Sequence, residues 1–215
     1  MKVVCLWSGG KDSCFAFYKA KQEGHTIAHL FNFVDAEKQG SLSHGLTGRT
    51  IRKQAAMVDA PFSQITMPRE NYRGNFKALI NEWKAKKAVE AIVFGDIYLQ
   101  EHRDWIDSVC SEIGVIPIMP LWGQNTATLI TEFIDAGFKA FVVSVRADVL
   151  GKEWLGREID SKFVEELKAM GGIDLCGESG EYHTFVCDGP VFRRPVKFGL
   201  GKKTLQDNRW FLELT

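Results

Sequence analysis

The chain lacks an excess of charge of either sign: Lys plus Arg and Asp plus Glu both number 27, so the formal net charge is zero. That argues against a broad nucleic-acid surface and leaves room only for a local basic patch. It also lacks any apolar run approaching the roughly 20 residues of a membrane span. Its first residues enter a strand pattern directly, without the profile of a secretory signal. Five cysteines are present, Cys5, Cys14, Cys110, Cys176 and Cys187, and none forms a C-x-x-C pair. Scattered and odd in number, they are expected to be reduced thiols in a cytoplasmic protein. A zinc site on Cys176, His183 and Cys187 would match no standard ligand spacing. Internal repeats and low-complexity segments are missing too. What remains is 215 residues, 45% hydrophobic and 25% charged, enough for one large domain or for one domain plus a small one.

The stretch around which the chain is organised is Ser8-Gly9-Gly10-Lys11-Asp12-Ser13. It follows the apolar run Val3-Val4-Cys5-Leu6-Trp7 and opens a helical pattern, which makes it a glycine turn between a strand and a helix start. Glycines let the backbone approach a ligand closely, and a helix N-terminus offers N–H donors and partial positive charge. Lys11 adds a full charge, so the place suits a phosphate or pyrophosphate. A Walker A loop is excluded, because Cys5 stands where its first glycine belongs and Asp12 follows the lysine. The dinucleotide pattern G-x-G-x-x-G does not fit either. The order S-G-G-x-D-S resembles the pyrophosphate loop of enzymes that split ATP into AMP and pyrophosphate, the adenine-nucleotide α-hydrolase superfamily. Ser8, Gly9, Gly10, Lys11, Asp12 and Ser13 are then nucleotide-binding candidates, with Lys11 and Asp12 catalytic. Asp12 is the nearest carboxylate for a Mg²⁺ ion carried by ATP, although Asp12 or Ser13 could also simply cap the helix. Lys11 and Asp12 are expected to lie exposed at the junction.

Downstream, strand and helix patterns alternate. Helices are expected to about Glu23 and over 47–58, 75–87 and 100–113, and strands over 27–34, 62–66, 91–94 and 115–119. The fold class this implies is α/β, a Rossmann-like parallel sheet with helices on both faces, followed by a smaller C-terminal α+β domain. A boundary is placed near residues 120–123, giving domains 1–121 and 122–215. Ligands bind at the carboxyl ends of parallel strands, so the glycine loop, the long polar loop 35–45 and Gly95-Asp96 should converge. In the second part a helix is expected over 126–136 and a strand over 140–145. Asp160 or Ser161 caps a further helix ending at Met170, and the tail should carry strands with a basic turn at Lys202-Lys203.

A second polar constellation is Glu178, Glu181, His183 and Thr184, beside Gly177 and Gly180. Two glutamates next to glycines suit a pocket wall for an amine or cation, and a solvated turn is the bland alternative. If the two parts face each other, both carboxylates should share the nucleotide cleft. His44 lies in the long loop. Cys110 and Cys176 are read as buried small residues in preference to nucleophiles, and Trp154 and Arg157 as either pocket or packing.

The whole chain resembles the diphthine–ammonia ligase family, also called diphthamide synthase. The resemblance is carried by the Ser8–Ser13 loop, His44, Gly95 with Arg103, Leu121-Trp122-Gly123, Trp154-Leu155-Gly156-Arg157 with Asp160, and the run from Gly177 to Val186. It implies ATP-dependent amidation: a carboxylate attacks the α-phosphate, pyrophosphate leaves, and ammonia displaces AMP. It also implies nucleotide binding by the loop and Gly95, and substrate binding by His44, Arg103, Trp154, Arg157, Glu178, Glu181 and Thr184. The family acceptor is diphthine, a modified histidine of a translation elongation factor. Gly95-Asp96-Ile97 through Trp105, with Cys110 and residues 174–177, resembles a bacterial branch, and bacteria are not expected to make diphthamide. The chemistry therefore carries over more firmly than the acceptor. No room is left for a glutaminase domain, so ammonia would come free or from a partner, and a homodimer is left open. The alternatives are ATP-dependent thiolation through Cys110 or Cys176, and a non-catalytic ATP-binding regulator.

Overall fold

The computed structural model describes residues 1–34, 45–68 and 70–215. At the centre of its first sheet is β1 (Lys2–Leu6). Val3 and Cys5 point to one face and Val4 to the other, and all three are fully buried. β2 (Thr26–Val34) and β3 (Phe62–Thr66) extend the sheet on one side, and β4 (Ala91–Val93) and β5 (Ile116–Ile118) on the other. The order is β3-β2-β1-β4-β5 and every pairing is parallel. The direction in which strands are added reverses between β1 and β4. Their carboxyl ends therefore open the crevice in which sheets of this kind bind ligands.

Two helices cover each face, as the alternating pattern requires. α1 (Lys11–Gln22) and α2 (Gly48–Ala55) pack on the Val3 and Cys5 face, and α3 (Tyr72–Lys87) and α4 (Gln100–Ile113) on the other. Phe76 and Ile80 of α3 and Ile106, Val109 and Cys110 of α4 cluster with Val4, Phe31 and Ile92. α3 starts three residues before its expected first residue. The added turn contains Gly74, and one glycine inside a helix costs only about 1 kcal/mol. Tyr72 offsets this by packing at 6.4 Å from Phe76 and 5.9 Å from Trp105.

The second layer packs on the α1 side. It holds α5 (Thr126–Asp135), β6 (Lys139–Arg146), α6 (Ser161–Met170), β7 (Tyr182–Asp188), β8 (Leu200–Gln206) and β9 (Arg209–Leu214). Its strands form an antiparallel sheet in the order β7-β6-β9-β8. Asn125 caps α5 and Asp160 caps α6, the latter accepting from Phe163 N at 2.7 Å. The expected basic turn is not a turn, because Lys202 and Lys203 lie inside β8. The hairpin reverses at Asp207 and Asn208, whose φ values of 48° and 58° are what a two-residue hairpin turn needs and what Asp and Asn tolerate. One apolar core joins the layers: Phe15 of α1 meets Phe133 and Phe138 edge-on at 5.8 and 6.0 Å. Among the described residues no helix is long and apolar enough to cross a membrane.

Candidate active site

The glycine loop begins where β1 ends, and it is fastened to itself. Ser8 Oγ lies 3.0 Å from Ser13 Oγ, Gly10 N donates to Ser8 Oγ at 3.3 Å, and Ser13 Oγ donates to Gly10 O at 3.1 Å. Gly9 has φ +84°, and a Cβ there would stand 2.6 Å from Gln54 Oε1 and Ile51 Cδ1, so both backbone and space demand glycine. Gly10 is the N-cap of α1 and has extended backbone. The amide of Lys11 donates to Thr184 Oγ1 on β7 at 3.0 Å. A side chain 173 residues away thus satisfies one of the N–H groups that a helix start leaves without an internal partner.

Lys11 is not exposed, contrary to expectation. Only 4% of it reaches solvent, and its Nζ donates to both oxygens of Asp12 at 2.9 and 2.8 Å while lying 5.2 Å above the Tyr182 ring. Burial alone would depress the Lys11 pKa, but Asp12, with Tyr182 and Cys176 behind it, outweighs burial and holds the ammonium charged. For Asp12 burial is the larger influence and pushes the carboxyl up, against the pull of Lys11. A third of the Asp12 side chain remains open to the cleft, where water moderates that push.

The facing wall is a turn from the second layer. Gly177 has φ +67°, and a Cβ there would meet the Tyr182 ring at 2.8 Å. The turn presents Glu178, whose Oε1 accepts from Ile97 N at 2.8 Å while its own N donates to Asp174 Oδ2 at 2.8 Å. Tyr98 Oη and Ser179 Oγ meet at 3.0 Å. Burial pushes the Glu178 carboxyl from its ordinary 4.5 up to about 7, partly opposed by the bond from Ile97. Between the walls lies a cleft of about 280 Å³ lined by Ser8, Lys11, Asp12, Ser13, Gly95, Asp96, His102, Glu178, Tyr182, His183 and Thr184 among others. Gly95 forms its floor. A Cβ at that position would meet the Asp12 carbonyl carbon at 2.9 Å and Ser13 N at 3.0 Å, so only glycine lets β4 end against the first turn of α1.

Among the described residues the cleft sets three carboxylates, Asp12, Asp96 and Glu178, against one lysine. Two of the three have pKa values pushed upward, so a cation among them would be welcome. Among the described residues no group of three or more His, Cys, Asp or Glu side chains is placed to hold a metal unaided. Mg²⁺ arriving on ATP phosphates needs only one or two carboxylates, and each Asp12 oxygen keeps a lone pair beyond its bond to Lys11. The donor set fits that mode.

Other expected residues are placed elsewhere. Glu181 is not part of the cleft lining: it precedes β7 and is buried, with Oε1 accepting from Asp174 N at 3.3 Å and Oε2 without a hydrogen-bond partner among the described residues. The two glutamates therefore do not form one wall, because the turn between them points their side chains to different sides. Arg103 pairs with Asp107 at 2.7 Å and stacks 5.4 Å over Trp122. Arg157 stacks 4.3 Å over Trp154 and pairs with Glu166 at 2.6 Å. Trp154 does not line the cleft; it packs edge-on against Phe163, which in turn packs on Tyr182. His44 and nearly all of the long polar loop lie outside the described residues. All five cysteines are buried: Cys110 belongs to the far core, and burial pushes Cys176 up to about 12.

Sequence reasoning missed His102 and Gln54. His102 Nδ1 lies 2.8 Å from Asp96 Oδ1, which raises its pKa against the opposing effect of burial. The available signal was position, the first turn of the helix that follows the Gly95-Asp96 strand end.

Residues 1–117 match the family model described as the diphthamide synthase N-terminal domain, and residues 125–214 the one described as the diphthamide synthase C-terminal domain. The chain belongs to the diphthamide synthase family. Proteins named diphthine–ammonia ligase from Bos taurus and Homo sapiens are each 29% identical to this family member over 219 residues, covering 91% of it and 82% of theirs. One from Schizosaccharomyces pombe is 26% identical over 223 residues, covering 91% of this chain and 36% of its own. A solved structure from Methanocaldococcus jannaschii, described as a predicted subunit of tRNA methyltransferase, is 18% identical with a TM-score of 0.47 over 88% of this chain and 98% of that one.

Proposed function

We propose that this diphthamide synthase family member is an ATP-dependent amide ligase that joins ammonia to a carboxylate. The observation that carries this reading is that the pyrophosphate-type loop and the Glu178 turn, far apart in sequence, line one cleft. ATP would lie with its phosphates at the Ser8–Ser13 loop and the N-terminus of α1. Mg²⁺ bound there with Asp12 would supply charge neutralisation on the phosphates. Lys11 would turn from Asp12 toward the leaving pyrophosphate as negative charge develops on it. The acceptor carboxylate attacks the α-phosphorus, the α–β bond breaks, and ammonia then displaces AMP from the acyl-adenylate. Ammonia is mostly protonated at neutral pH, so a proton must be removed before it attacks. Glu178, balanced near neutrality, and His102, oriented by Asp96, are two cleft groups placed to take that proton.

The acceptor we propose is diphthine, the compound in the relatives' names, carried on an elongation factor as the family resemblance implies. Nothing favours thiolation, because Cys110 lies away from the cleft and both Cys110 and Cys176 are held as thiols by burial. The test is incubation with ATP, Mg²⁺, ammonium and an elongation factor carrying diphthine. AMP, pyrophosphate and the acceptor amide are the expected products, and ADP in place of AMP would sink the reading.

A further inference from the structure

α2 carries a polar residue on its apolar face. Gln54 lies three positions after Ile51, and no part of it reaches solvent. A buried amide is costly unless its donors and acceptor are used, and here they are. Nε2 donates to Gly9 O at 2.8 Å and to Val186 O at 2.6 Å, and Oε1 accepts from Trp7 Nε1 at 2.9 Å. The indole can only donate and the carbonyls can only accept, so the partners fix which end of the amide is which.

The arrangement acts on the nucleotide loop. Val186 N donates to Gly9 O at 3.0 Å, so the N–H and C=O of this one residue on the outer edge of β7 are met by the loop and by Gln54 respectively. Together they stand in for a neighbouring strand. Two residues earlier on β7 is Thr184, whose side-chain oxygen accepts the Lys11 amide. A slip of β7 against the loop would carry Thr184 away from the start of α1.

We propose that Gln54 is a positioning residue of the nucleotide site: by holding Gly9 and Val186 together it sets the loop against β7 in the register that places Thr184 under the N-terminus of α1. It is fully buried and does not line the cleft. The inference rests on the reading that this loop binds ATP.

The test is Mg·ATP affinity by calorimetry on the whole chain, alongside amide chemical shifts. Gln54→Glu keeps the acceptor for Trp7 and loses both donors. Trp7→Phe keeps Gln54 and removes the donor that orients it, together with some buried ring volume that the Ile80→Val control brackets, so it carries the test if the first variant does not fold. Ile80→Val, in the core on the opposite face of the sheet, is the control for stability loss alone. Gln54→Glu should weaken ATP binding about tenfold or more, and Trp7→Phe less. In both, the Lys11 and Val186 amide resonances should move while those of α3 stay. Ile80→Val should bind ATP as the wild type does. Folded Gln54→Glu or Trp7→Phe with unchanged affinity and unmoved Lys11 resonance would overturn the proposal, as would equal weakening in Ile80→Val. A wild-type chain that binds no ATP would remove the ligase reading, and this inference with it.

Discussion

The two walls of the cleft use similar parts, a glycine turn presenting charged side chains, yet they are held in different ways. The nucleotide loop closes on itself through Ser8, Gly10 and Ser13, bonded within six residues of chain, and α2 and β7 then brace that closed loop from outside through Gly9 and Lys11. The Glu178 turn is fastened across the molecule, by Ile97 N and Tyr98 to residues 81 positions away. The first wall buries a lysine that its neighbour keeps charged. The second carries a carboxyl that burial pushes toward neutrality. A locally closed loop can hold one shape through a reaction that changes the charge in front of it. A wall held through a titrating carboxyl changes its grip with its protonation state.

The sharpest way to break this comparison is Lys11→Ala. If the loop wall supplies the electrostatic stabilisation, acceptor-dependent AMP formation should fall by about 100-fold or more. Glu178→Ala should leave ATP affinity, measured by calorimetry, close to wild type. Equal loss of ATP binding in both variants would mean that the walls do not divide the work.

Gly95→Ala comes next. A methyl group 2.9 Å from the Asp12 carbonyl carbon must push β4 and α1 apart. We expect a stability loss of about 1–3 kcal/mol in chemical denaturation, with weaker ATP binding. Full ATP affinity in that variant would show that the first turn of α1 is not what the nucleotide contacts.

Thr184→Val keeps the shape and removes the acceptor for the Lys11 amide. A buried donor left without its partner costs roughly 1–3 kcal/mol. The change should appear in chemical denaturation and as faster hydrogen exchange at the Lys11 amide.

Glu178→Gln tests the second wall through pH. A carboxyl whose folded value stands above its ordinary one contributes stability that is fully present below 4.5 and is lost as pH rises through about 7. Wild-type Tm should therefore carry a decline over that window that Glu178→Gln lacks, and the variant should gain on wild type at pH 8. Parallel pH profiles would place Glu178 in open solvent. The smallest effect is expected from Arg157→Lys, which gives up stacking on Trp154 outside the cleft. ATP affinity should not change, and a large loss would bring Arg157 back to the site.

How much of this was legible in the sequence follows from how each wall is held. The loop was legible because its residues are contiguous and its closure is local. The parallel sheet was legible because alternating apolar patterns at βαβ spacing leave few other arrangements. The hairpin turn at Asp207-Asn208 was missed although both residues are turn formers, because two lysines drew the turn to the middle of a strand. Glu178 and Glu181 looked equivalent on paper, and only the turn between them decides that one lines the cleft and the other is buried behind it.

By itself the sequence determined the strand–loop–helix start, the glycines at positions 9 and 95, the apolar faces of the helices and hence the layer order. These depend on neighbours within a few residues, where spacing alone sets direction. The tertiary structure decided that Lys11 is buried, that Thr184 caps a helix 173 residues away, that Asp96 orients His102, and that Gln54 ties the loop to β7. Each depends on which groups meet across the fold, and a buried hydrogen bond leaves no periodic trace in the chain that makes it.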